Sequence, residues 1–143
     1  MTTVKYMIML MGSQRDYDML TGKDTDRPAW TAHEVAAMHE FMARWNNDLV
    51  ASGEFVDARG LSAPVHARRV GAKDGVAVVT DGPYPETQEV LAGYTIVECD
   101  SFDRATEIAA RLVNTPHPEH AQLDHDWYVD IRPIDEHAPQ PEV

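Results

Sequence analysis

Apolar and polar positions along the chain change period several times, and each change marks an element. In VKYMIMLM, residues 4–11, Val4, Tyr6, Ile8 and Leu10 alternate with Lys5, Met7, Met9 and Met11, so both faces of an extended segment are largely apolar. Such a strand needs cover on both sides and belongs inside a sheet. Residues 12–30 lose the period and carry scattered Gly, Asp and Pro, which predicts a long loop, a length uncommon unless it serves a function. At Thr31 the period becomes helical. Thr31 and Glu34 form a Thr-x-x-Glu capping box, and Val35, Met38, Met42, Trp45 and Leu49 follow at steps of three and four. Glu40 and Arg44 pair on the outer side, and Gly53 is a natural stop.

Extended character returns in three short runs, 55–61, 65–71 and 76–80. Lys73, Asp74 and Gly75 join the last two as a hairpin, because Asp-Gly supplies the positive φ angles of a tight turn. Residues 93–99 are a further strand. Asp100 or Ser101 caps a second helix, with Phe102, Ala105, Ile108, Ala109 and Leu112 on one face. A loop rich in His, Pro and acid fills 114–126, and residues 127–134 alternate again as a last strand ended by Pro133. The order predicts an α+β domain over 1–134, a split βαβ plait with an inserted hairpin and both helices on one face of an antiparallel sheet. Residues 135–143, with Pro139 and Pro141 and no apolar period, form a frayed tail. Two helices cover one sheet face only, so the Met, Val and Tyr side chains of the other predict a homodimer joined face to face.

Composition narrows the partners. Of the 143 residues, 43% are hydrophobic, which suits one globular domain, and 24 acids against 12 Lys plus Arg leave a net charge of −12. That balance repels nucleic acid and anionic membranes. Cys99 is the single cysteine and fits a reducing compartment. The apolar run 7–11 is too short for a secretory or membrane-spanning segment, so the expected location is the cytoplasm.

The densest candidate chemistry lies in TDGPYPETQEVLAGY, residues 80–94. Asp81 stands where a strand enters a Gly-Pro turn. Partial burial there would suit its carboxylate to general-base work, while the competing reading is an Asx-turn that caps its own backbone. Glu89 and Tyr94 add an acid and a hydroxyl within reach of the same turn, and two converging carboxylates would share a proton. Glu86 reads as a solvated loop residue. Gly82 and Pro83 would aim Asp81, and Gly93 would keep that side of a cavity open. Upstream, residues 58–73 hold Arg59, His66, Arg68, Arg69 and Lys73 and no acid. This strip would hold a carboxylate or phosphate, or else protect a sheet edge from pairing with other chains.

His117, His120 and His125, with Glu119, Asp124 and Asp126, share one loop and invite a metal. Pro116 and Pro118 argue against the helix that would aim two rings together, so no metal site is assigned. With no phosphate-binding Gly loop, Ser nucleophile elbow or dinucleotide fingerprint, no cofactor is expected. Cys99 lies on an apolar strand and reads as unreactive.

TDGPYPETQEVLAGYTIVECDSFDRATEIAARL resembles the DGPF branch of the YCII-related family, whose Asp-Gly-Pro-Phe motif is met here by Asp81, Gly82, Pro83 and Tyr84. The likeness extends to residues 4–11, to Gly60, Leu61 and Pro64, and to VDIRPI near the end. Gln88, Ala92, the loop after Gly12 and the His-rich loop depart from the pattern. The resemblance implies a ferredoxin-like, dimeric α+β barrel. It implies much less about function; the leading reading, from the residues themselves, is a small-molecule pocket at the Asp81 turn, with Asp81, Glu89 and Tyr94 as catalytic candidates. His66, Arg68, Arg69, Gly82, Pro83 and Tyr84 would contact a small anionic or aromatic ligand. Some relatives are thought to act through a His-Asp pair, and some handle lactones or chlorinated hydroquinones; the His has no counterpart here by motif. DGPF proteins are also encoded near, or fused to, extracytoplasmic-function sigma factors, so the alternative is a non-catalytic regulatory or interaction module.

Overall fold

β1 (Val4–Gly12) pairs on both sides, with β5 (Val90–Cys99) and with β6 (Val129–Pro133), and β2 (Phe55–Gly60) completes the sheet in the order β2-β5-β1-β6. Every neighbouring pair is antiparallel. The structure, a computed structural model, describes residues 3–23, 28–118, 127–137, 139 and 141. Among the described residues three α-helices accompany the sheet: α1 (Gln14–Leu20), α2 (Ala32–Ser52) and α3 (Phe102–Ala110), and α3 runs on into a 3₁₀ turn over Arg111–Asn114. The result is an α+β architecture, compatible with a ferredoxin-like plait. Strands β3 (Arg68–Lys73) and β4 (Val76–Asp81) form the inserted hairpin as a separate two-stranded sheet.

α2 starts and stops where the sequence says. Thr31 Oγ1 accepts from the Glu34 N–H, the Glu34 carboxylate returns the bond to the Thr31 N–H, and Gly53 ends the helix at φ 80°. α2 and α3 pack over one sheet face. Tyr6, Ile8, Val97 and Cys99 meet Trp45 and Leu49 of α2 and Ala105, Ile108 and Ala109 of α3. Full burial of side chains such as Ile8, Leu49 and Ile108 stabilises the fold by roughly 1.5–3 kcal/mol each. The Trp45 indole N–H donates to the Ile108 carbonyl at 3.0 Å, which satisfies the one polar atom of that ring inside the core. Arg104 of α3 forks onto Glu54 with two bonds of 2.8 Å, locking α3 to the start of β2.

Three expectations change. Part of the predicted loop 12–30 is α1, begun by a second capping box in which Ser13 Oγ and the Asp16 carboxylate exchange bonds with each other's backbone. The predicted strand 65–71 begins instead with a 3₁₀ turn, Pro64–His66, because proline at its first position presets the φ angle of a turn. β5 starts at Val90, ahead of the expected Gly93, and a register shift between Leu10 and Met11 lets it pair to the end of β1.

The sheet face away from the helices presents Met7 and Met9 opposite Ile96 and Tyr94, all half-buried. Lys5, Glu98, Asp57, Arg59, Asp130 and Arg132 lie around them by the same register.

Candidate functional site

The Asp81 turn is built by the hairpin's return. Asp74 and Gly75 take φ 52° and 78°, as the Asp-Gly pair requires, and the two strands pair from Lys73–Val76 back to Arg68–Asp81. At Gly82 the chain turns at φ 53° while its N–H donates to the Ala67 carbonyl at 2.8 Å. A Cβ at this position would meet the Val65 carbonyl at 3.4 Å, an ordinary contact, so the positive φ and not lack of space is what favours glycine.

The arginines expected to hold an anion hold this turn. Arg68 Nε donates to Asp81 Oδ1 at 2.7 Å. The side chains of Arg68 and Asp81 are 68% and 77% exposed, so the expected partial burial of Asp81 is not seen. Its carboxylate bonds across the hairpin instead of capping its own turn. The Arg69 guanidinium lies 5.4 Å from the centre of the Tyr84 ring, a cation–π contact that fastens the next stretch of the turn to β3. Tyr84 and Pro83 are half-buried, and His66 is exposed at the end of the 3₁₀ turn.

α1, absent from the sequence reading, pins the segments on both sides of the hairpin. Gln14 Oε1 accepts from the Val65 N–H at 2.8 Å, and the Arg15 N–H donates to the Glu86 carbonyl at 3.2 Å. The Tyr17 hydroxyl lies 2.8 Å from the Leu61 carbonyl and 3.2 Å from that of Ala92, and burial raises its pKa. Gly93 has a different reason from the one expected. A Cβ there would come 3.0 Å from the Arg59 carbonyl, so its hydrogen lets β2 approach β5.

The three catalytic candidates are bonded to different partners. Glu89, half-buried just before β5, accepts at Oε2 from the Tyr128 hydroxyl at 3.0 Å. That bond raises the Tyr128 pKa, because ionising the phenol would place two negative oxygens together. Tyr94 lies on the open sheet face, its hydroxyl 3.4 Å from Asp57 Oδ2, and Asp81 lies at the hairpin base. Tyr128 and Asp57 were missed by sequence reasoning. The Glu89–Tyr128 pair spans 39 residues and depends on the register of β6 and β5 against β1, which no local pattern reports. α1 did carry a signal, the Ser13-x-x-Asp16 spacing.

Of the histidine loop, His117 is described, with Nδ1 3.0 Å from the Pro118 carbonyl. His120, His125, Glu119, Asp124 and Asp126 lie outside the described residues. Among the described residues no group of three or more His, Cys, Asp and Glu is placed to hold a metal ion.

This α+β chain, with its antiparallel sheet, separate hairpin and Asp-Gly-Pro-Tyr turn, is matched by the model of the YCII-related domain over residues 5–117. The chain belongs to the YCII-related family. It is also similar to an uncharacterized protein of Rhizobium meliloti (strain 1021), 28% identical over 86 residues, which cover 60% of this chain and 69% of that protein. No helix among the described residues is long and apolar enough to cross a membrane.

Proposed function

We propose that this YCII-type domain works as a cytoplasmic homodimer joined through its open sheet face, and that each copy binds a small aromatic hydroxy compound where Glu89 meets Tyr128. The observation that carries the site is the 3.0 Å bond from the Tyr128 hydroxyl to Glu89 Oε2. A half-buried carboxylate already accepting from one phenol can accept from another, and so take the proton of a ligand hydroxyl as a general base. Tyr128, exposed, offers an aromatic face beside it, and the exposed Trp127 is its neighbour in the chain.

An aromatic ligand fits this chain better than an anionic one. Arg68 and Arg69 are already engaged by Asp81 and Tyr84, and acids outnumber Lys plus Arg two to one. The tetrad Asp81, Gly82, Pro83 and Tyr84 supports placing the chain in the DGPF branch, with the tetrad as a structural turn. Calorimetric titration with phenol and with benzoate tests the site. Phenol should bind and Glu89→Gln should weaken it about tenfold, as loss of a charged acceptor does. Binding of benzoate alone, or phenol binding indifferent to Glu89→Gln, rejects it.

A second reading has its own support. The exposure of Asp81 and its pairing with Arg68 are what a non-catalytic interaction module would show, and the sigma-factor connection of the resemblance belongs to that reading.

A further inference from the structure

We propose that Tyr17 is a positioning residue for the Glu89–Tyr128 site, on whose reading this role rests: its hydroxyl holds a β-bulge at Ala92, and the bulge turns Glu89 toward Tyr128. Leu10 pairs with Gly93 and Met11 with Leu91, so Ala92 is an extra residue with no partner on β1. Side chains alternate along a strand, and one inserted residue reverses the facing of everything beyond it. Tyr94 shares the open face with Met9, and Glu89 is an odd number of residues before it. In an unbroken strand Glu89 would therefore face the helices. Asp130 pairs with Met9 on the other side, so Tyr128, two residues earlier, extends the open face. The extra residue brings Glu89 to that same face, and the 3.0 Å bond to Tyr128 is the result. Bulges beside functional sites commonly re-aim a side chain in this way.

The bulge is held on both sides. The Leu61 N–H donates to the Ala92 carbonyl at 2.9 Å, and the Tyr17 hydroxyl lies 2.8 Å from the Leu61 carbonyl and 3.2 Å from that of Ala92. The single hydroxyl proton thus ties the bulge to the residue that donates to it. Burial raises the Tyr17 pKa, so this hydroxyl stays a donor throughout the neutral range. On β1 the room for the bulge comes from Gly12, where a Cβ would stand 3.3 Å from the Ala92 Cβ. One turn of chain earlier, the Arg15 N–H donates to the Glu86 carbonyl at 3.2 Å. α1 therefore grips the segment that carries Glu89 at both of its ends.

The test follows the ionisation of Tyr128 by NMR of ring-labelled tyrosine, its signal assigned through Tyr128→Phe. The Glu89 bond is the main reason the Tyr128 pKa is raised, with the Asp130 charge adding to it, so the titration reports whether the two side chains still meet. Tyr17→Phe keeps the ring and removes the hydroxyl. In this variant, shown to be folded by circular dichroism, Tyr128 should ionise closer to the ordinary range, as in Glu89→Gln. Phenol affinity should fall about tenfold, and adding Glu89→Gln should lower it no further. Gly12→Ala presses on the bulge from β1 and should act in the same direction, with Ala92→Gly in the same chain restoring Tyr128. A folded Tyr17→Phe in which Tyr128 ionises as in the wild type overturns the role of Tyr17. An unchanged Tyr128 in Gly12→Ala overturns the control by the bulge, whether or not Tyr17→Phe folds. A wild type that binds no phenol rejects the ligand site instead, and the Tyr128 titration still judges the bulge.

Discussion

The Tyr128 hydroxyl donates to Glu89 Oε2 at 3.0 Å, joining the residue before β6 to the residue before β5 at the end of the sheet where β1 gives way to α1. Because burial raises the Tyr17 pKa and the Glu89 carboxylate raises that of the Tyr128 phenol, the native protein should show, besides Tyr17, a second tyrosine, Tyr128, that ionises above the ordinary range. Glu89→Gln should bring that tyrosine back toward the others in a tyrosinate absorbance titration. A titration identical in wild type and variant would show that the bond is not kept in solution.

The Arg68–Asp81 pair should be nearly silent. Both groups face solvent, so screening and side-chain entropy offset most of the attraction. Asp81→Asn is expected to keep fold and assembly and to move the melting temperature by less than about 2 °C. A loss of phenol binding in this variant, with the fold intact, would return Asp81 to the site.

The Glu54–Arg104 fork predicts part of the acid sensitivity. The Arg104 hydrogen bonds lower the Glu54 pKa against the opposing effect of burial. A carboxylate with a depressed folded pKa contributes stability above its unfolded value, and this is lost as pH falls through the folded value. Arg104→Ala should therefore cost about 1 kcal/mol near neutrality, allowing for the exposed side of the guanidinium, and the cost should shrink in acid. Chemical denaturation at neutral pH and at a pH below the ordinary Glu range makes the comparison. A cost that is constant across both would assign Arg104 a packing role instead.

Gly93→Ala tests the approach of β2 to β5. The added methyl meets the Arg59 carbonyl at 3.0 Å, and this is backbone that cannot swing aside. A loss of about 1–3 kcal/mol is expected, with faster amide exchange along β2 than along β6. An unchanged melting temperature would return Gly93 to the role of an open cavity wall.

The elements legible in the sequence were those specified locally. Thr31 with Glu34, Gly53, and Asp74 with Gly75 are short-range signals that act within one turn, and the structure keeps each of them. The covered face of β1 followed from the alternation of Tyr6 and Ile8 with the methionines. The site was much less legible. Arg68 and Arg69 read as free cations because their partners, Asp81 and Tyr84, are set by the hairpin register, which places Arg68 opposite Asp81. Tyr128 was passed over because its partner Glu89 is brought near only when β6 and β5 flank the same strand. α1 was passed over because the Ser13-x-x-Asp16 box opens a helix of only 7 residues, in which Tyr17, Met19 and Leu20 are too few for an apolar stripe.

The open sheet face gives the remaining prediction. Met7 and Met9 stand opposite Ile96 and Tyr94 at the centre of a face that neither α2 nor α3 covers. Flexible methionines adapt to a second surface, and the charges around them, Lys5 with Glu98 and Arg59 with Asp57, suit the rim of an interface. A two-fold contact would bring the same four apolar side chains from each copy together. Met9→Lys places a charge at that centre without touching the helix-covered core, so the chain should stay folded and become monomeric. Light scattering at micromolar concentration, paired with circular dichroism, reads both properties. A folded Met9→Lys variant that remains a dimer would move the interface off this face.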